Sequence, residues 1–320
     1  MKFLVVHYHG KLNLGGILGK ILNSVGGEIQ SGIENMLVIL IVIVIHSILK
    51  SIIENLGNDS TVQVAYFLEY LIIVALITNA FVDVLDIVKN SVYNIISFMN
   101  LFSPILIALM MTTGSIVVSS STEVILIVVI EVCGNVIQNI IIPLVLISTT
   151  LSIVSNFSEK VQLARLSKFL KSAVIWILGI ILTVFICILS IEGTLGNSID
   201  SFTAKTSKAA VSTFIPVVGK VMGDSVDSIL GCANILKNSV GIVGVVILFG
   251  IVMIPIIKIS VMWFMMNVVA VLCEIIADNS IAKLFDEIAE SYKILFGILV
   301  SVSAMFIIGS TLILRMTNGG

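Results

Sequence analysis

Three carboxylates in this 320-residue chain, Glu69, Glu131 and Glu274, fall inside long apolar runs. An ionisable group in hydrocarbon costs about 2.5–3.5 kcal/mol even on modest scales, so each must face protein or water. Glu131, Asn135 and Gln138 follow an i, i+4, i+7 spacing that stacks them on one helix face. Such a stripe suits either a conduction path or hydrogen-bonded packing between helices. His46, four residues before Lys50, reads mainly as a packed or interfacial side chain, with a proton relay as the sharper alternative.

Other combinations carry little chemistry. His7 and His9 would share a face only on a strand, with no Cys, Asp or Glu close by, so no metal site is expected. "GKVMGDS" has no glycine five residues before Gly219 and no Ser or Thr after Lys220, so it is not a phosphate loop. The four cysteines are far apart, without a CxxC pair. No nucleophile, base or paired catalytic carboxylate stands out, so the reading is non-enzymatic and without a cofactor.

The elements that must position these groups follow from composition. The chain is 58% hydrophobic and 11% charged with a mean hydropathy of +1.20, against about 25% charged in a soluble domain. It reads as an all-α polytopic membrane bundle. A net charge of −2 excludes nucleic acid as a partner. Crossing hydrocarbon takes about 20 apolar residues of helix. That ruler gives about eight spans, near 35–53, 63–82, 95–118, 124–154, 169–191, 239–257, 259–277 and 294–314. The run 124–154 is too long for one upright crossing and is expected to tilt, kink at Pro143 or break near Gly134–Asn135.

Four regions result: a short N-terminal interfacial segment at 1–34 with no visible cleavable signal, a membrane group at 35–191, an amphipathic segment at 192–238, and a second membrane group at 239–320. The basic stretch 156–171 marks the cytoplasmic side, with the N-terminus, Lys89 and Arg315; the segment 192–238 falls opposite. Within that segment, between spans five and six, an amphipathic helical hairpin is expected. Pro216 sits near the first turn of its second arm. Lys220, Asp224 and Asp227 fall on the polar face, while Gly219 and Gly223 form a small-residue edge for close packing.

Residues 214–259, "FIPVVGKVMGDSVDSILGCANILKNSVGIVGVVILFGIVMIPIIKI", resemble the most characteristic region of the stage III sporulation protein AE family of endospore-forming bacteria. "PLVLISTTLSIVSNFSEKVQLARLSKFLK", residues 143–171, is similar to the same family's pattern of a span ending in "LSIVS" before a basic loop. The similarity covers about residues 31–315; family members usually carry a signal sequence and a longer soluble region at the front. The resemblance implies a membrane subunit of the mother cell–forespore channel or secretion-like complex, sustaining late forespore gene expression. Its implied partners are other stage III sporulation membrane proteins and the bilayer, and its implied location is the mother-cell membrane around the forespore. The family offers no catalytic residues to carry over. A permease coupling through Glu69 and Glu131 is the alternative, and a purely structural scaffold a third.

Overall fold

The computed structural model describes the backbone of residues 37–48, 60–112, 116–157, 161–214, 218–276 and 279–315, with a few isolated positions before Leu37 and Ser51–Ile52. Side-chain surroundings are described for most of these outside 113–124 and 192–234. The N-terminal segment 1–34, with His7 and His9, falls almost wholly outside the described residues, as does Pro216.

Among the described residues all regular structure is helical, as the composition predicts. The elements are α1 (Leu37–Ile48), α2 (Ser60–Thr112), α3 (Ile116–Val136), a π-turn (Ile137–Ile141), α4 (Ile142–Phe157), α5 (Val161–Phe214), α6 (Val218–Ile276) and α7 (Asn279–Arg315). α7 is the central helix, packed against α2, α4, α5 and α6. Its apolar positions recur at helical spacing (Ile281, Leu284, Phe285, Ile288, Tyr292, Leu295) and are buried, while Lys283, Asp286, Glu290 and Lys293 point outward.

Among the described residues, five helices are long and apolar enough to cross a membrane: Phe67–Leu109, Ile127–Asn156, Leu163–Ile188, Asn238–Ile275 and Ile281–Thr311. The difference from the expected eight has two causes: the first expected span, 35–53, is described only as the shorter apolar helix α1, and two pairs of expected spans merge. The expected second and third spans lie on the single helix α2, because Asp83, Asp86 and Lys89 are exposed on a stretch without Gly or Pro to end it. The expected sixth and seventh spans likewise share α6, which runs through Pro255. A proline removes one backbone donor, and a helix packed among neighbours tolerates that loss.

The long run around Glu131 does break its regularity, between the two sites that the sequence suggests. The π-turn Ile137–Ile141 closes with the Ile142 N–H donating to the Ile137 carbonyl, five residues back. Pro143, which lacks an N–H and crowds the carbonyl four residues earlier, follows at once. The widened turn relieves that crowding.

Contacts along the bundle fix the axial register. Phe81 stacks on Tyr292, and the Ser310 hydroxyl meets Met99 sulfur; both pairs are separated by 211 residues, so α2 and α7 run parallel and level. Lys171 reaches Glu287 while Phe185 meets Phe306 edge-on, so α5 runs parallel to them. α6 is antiparallel to α7, with Trp263 stacked on Phe296. α2 is longer than any single crossing: its 43-residue stretch Phe67–Leu109 makes about 65 Å of helix. The register sets its N-terminal half beside the charged first half of α7.

This register corrects the sidedness of two segments. Separate crossings at 259–277 and 294–314 would put 278–293 across the membrane from the basic stretch 156–171, with Arg315 returning to its side. Instead one crossing of α6 and one of α7 place Glu287 and Glu290 beside Lys171. Arg315 ends α7 about 42 Å farther along the axis.

Candidate functional site

The most developed polar assembly lies where α4, α5 and α7 meet. Lys171 is 3% exposed, and an ammonium there would cost several kcal/mol unless its donors were engaged. They are: Lys171 Nζ donates to Glu287 Oε2 at 2.7 Å, Glu290 Oε2 at 2.8 Å and the Glu287 carbonyl at 3.1 Å. α4 supplies further hydroxyls. Ser152 donates to Glu287 Oε2 at 2.8 Å and lies 2.6 Å from Ser167, which donates to the Ser148 carbonyl. One turn away the Thr149 and Ser291 hydroxyls meet at 2.9 Å, and Ser291 donates to the Glu287 carbonyl.

Local sequence explains this convergence. Ser148, Thr149 and Ser152 repeat at i, i+1, i+4 on the face of α4 that meets α5 and α7; Ser167 and Lys171 repeat at i, i+4 on α5; Glu287, Glu290 and Ser291 do so on α7. Lys171 reads from the sequence only as one charge of a basic loop. Its partners lie 116 and 119 residues away, and no local spacing announces such a pairing. The run of Ser and Thr at helical spacing in an apolar helix was the usable signal.

The sequence-derived candidates divide into separate places. Glu69 is buried on α2 and lies 3.2 Å from Nδ1 of His46, which is fully buried on α1. His46 is therefore the partner of a buried carboxylate, more than a packed side chain. Glu131 is exposed on α3 and accepts a 2.9 Å hydrogen bond from Asn100 Nδ2 on α2. Asn100 lies 31 residues along α2 from Glu69, about 46 Å. The two carboxylates thus belong to opposite ends of the bundle and form no common coupling site.

The polar stripe on α3 also changes membership. Asn139, not Gln138, continues it: Asn139 donates to Asn135, both are exposed, and Gln138 is half-buried. The widened turn at Ile137–Ile141 keeps i+4 steps in line where a regular helix would favour i+7 over the longer interval. Gly219, Lys220, Gly223, Asp224 and Asp227 lie on the helical backbone of α6, with side chains outside the described residues. Residues 192–214 continue α5, and 218–238 begin α6. Among the described residues, no three His, Cys, Asp or Glu side chains come together as a metal set.

A bundle of long apolar helices, pinned by a buried lysine–carboxylate network and without a nucleophile–base pair in the groups described above, defines a polytopic helical membrane protein. Its kinship is specific. Residues 1–317 match the family described as Stage III sporulation protein AE, and the chain belongs to that family. It is similar to Stage III sporulation protein AE of Bacillus subtilis (strain 168), with 30% identity over 266 residues, covering 83% of this chain and 67% of the relative. No solved structure matches it.

Proposed function

We propose that this chain is a non-enzymatic membrane subunit of the complex joining mother cell and forespore during endospore formation, located in the mother-cell membrane around the forespore. The observation that carries the reading is the family match along residues 1–317, which places the chain in sporulation. The five long apolar helices supply the membrane setting. Its partners in this reading are the other stage III membrane proteins. The helical extensions 192–214 and 218–238, which continue α5 and α6, are the elements that would meet them.

The experiment is deletion of the gene in its host with a forespore-specific late reporter. Spore formation should stop after engulfment with the reporter silent, while vegetative growth is unchanged. Normal spore yield would refute the proposal. Complementation then tests the extensions: enlarging Gly219 or Gly223 to Leu should fail to restore spores if close helix packing joins the subunits there. Charge removal at Lys220, Asp224 and Asp227 separates a passage or polar contact, which it would damage, from a scaffold, which would tolerate it.

A further inference from the structure

Asp83, Asp86 and Lys89 are exposed on α2, and the packing sets them at the centre of the bundle's membrane span. The five long apolar helices have their midpoints at Val88, between Ile141 and Ile142, between Ile175 and Trp176, between Ile256 and Ile257, and at Phe296. The Phe81–Tyr292 and Met99–Ser310 pairs put Val88 level with Leu299. The Thr149–Ser291 bond, the Lys171–Glu290 and Phe185–Phe306 pairs and the Trp263–Phe296 stack bring the other helices onto the same scale. All five midpoints then lie within about 15 Å of one another along the axis, with Asp86 and Lys89 at the middle of that interval.

Two sides of the bundle differ at this depth. On α2 every exposed position from 83 to 94 bears a polar group: Asp83, Asp86, Lys89, Asn90, Tyr93 and Asn94, which share one helix face at steps of three and four. On α5, between the levels of the Lys171 and Phe185 contacts, the exposed large side chains are Ile175, Trp176, Ile180 and Val184, and the Thr183 hydroxyl turns back to donate to the Gly179 carbonyl. Hydrocarbon suits that α5 face. It cannot solvate the carboxylates and ammonium of α2, and ionisable groups at such a depth face protein or a water-filled cavity. The polar stretch is about 17 Å long. Beyond it the same side of α2 exposes Leu76 and Ile72 toward one end, and Leu101 and Ile105 toward the other.

We infer that the middle of α2 walls a hydrated cavity at mid-membrane, bounded along the helix by apolar turns at each end, while the exposed face of α5 meets lipid. Water is the occupant that this chemistry selects. The face carries both signs of charge beside two amides, so no single ionic ligand matches it. A second copy in the same membrane orientation, related by a twofold axis along the membrane normal, would set Asp83, Asp86 and Lys89 each against its own like charge. Water solvates carboxylate, ammonium and amide alike, and the flanking apolar turns are of the kind that control wetting in membrane pores. The inference rests on the membrane setting of the five helices rather than on the role in sporulation.

The test is hydroxyl-radical footprinting of the full wild-type chain in membranes of its sporulating host. A brief X-ray pulse makes radicals from water wherever water lies, an enclosed cavity included, so no reagent has to enter. Tyr93 and Trp176 are the reporters, 61% and 70% exposed on the two faces. With each rate referred to that of the same residue in the unfolded chain, Tyr93 should be oxidised about tenfold faster than Trp176 or more, because hydrocarbon offers almost no water. Tyr93 protected as fully as Trp176 would show lipid or another protein covering α2 and would overturn the inference. Trp176 oxidised as fast as Tyr93 would put this level of the bundle outside the hydrocarbon and would overturn it as well. The measurement uses no substitution, so a folding defect cannot imitate either result, and the deletion phenotype tests the role in sporulation separately.

Discussion

Lys171 shows what a single buried charge demands of its surroundings. Its ammonium is enclosed by two carboxylates and a carbonyl from α7, with Ser152 of α4 supporting Glu287. Removing one member of such a group typically costs about 3–5 kcal/mol, because the remaining charge is stranded. Lys171→Met should therefore sharply lower the melting temperature in detergent and the steady-state level in membranes. Adding Glu287→Gln removes the stranded charge and should recover part of the loss, while the more exposed Glu290 can turn to water. A double variant less stable than Lys171→Met would show that the pair is not coupled as described. A second prediction concerns the other carboxylates. Gln at position 131 still offers Asn100 an acceptor oxygen, so Glu131→Gln should support normal sporulation; a null phenotype with normal protein level would revive the coupling role. These residues also mark what local spacing reveals. The sequence exposes Glu69 and Glu131 because a carboxylate in an apolar run is conspicuous, but it could not announce His46 or Asn100 as their partners.

At the scale of the helices, the sequence reads helical type and apolar runs well and misreads continuity. A charge cluster such as Asp83, Asp86 and Lys89 suggests a turn between spans when each span is measured against a bilayer. Yet its i, i+3, i+6 spacing places the charges on one exposed face, which leaves α2 unbroken. Pro255 raises the same false boundary in α6, whereas at Pro143 the adjacent widened turn makes a real irregularity. The cost of continuity is close packing where α2 passes α6. A Cβ built on Gly244 would overlap the tip of the Phe102 ring, so glycine there lets α6 approach that ring without displacing it. Gly244→Ala should destabilise by about 1–3 kcal/mol, the usual penalty of overpacking. Phe102→Leu in the same chain should relieve it. Gly250, on the same helix with open space beside it, is the control: Gly250→Ala should be neutral or slightly stabilising. Thermal unfolding of the three variants in detergent checks the set, and equal loss at both glycines would contradict the packing.

For the whole molecule, the decisive consequence is which charged segments share a side. An eight-span alternation separates 278–293 from the basic stretch 156–171, whereas the structure joins them through Lys171, Glu287 and Glu290. Arg165, Lys168, Lys283 and Lys293 then gather near one end of the bundle, and residues 189–214 of α5 continue beyond the other. On the rule that short basic segments are retained in the cytoplasm, the Lys171 end is expected to face inward and the α5 extension outward. Single cysteines at Ser158, Asp286 and Lys205, each in a chain whose native cysteines are replaced, give a direct reading. An impermeant thiol reagent added to intact cells should label Lys205→Cys and leave Ser158→Cys and Asp286→Cys unmodified until the membrane is opened. Labelling of positions 205 and 286 together, with 158 protected, would restore the alternating arrangement and separate α7 from Lys171. Labelling of 158 and 286 together, with 205 protected, would keep the bundle intact and invert it in the membrane. The paired behaviour of 158 and 286 therefore tests the fold, and the behaviour of 205 tests its orientation.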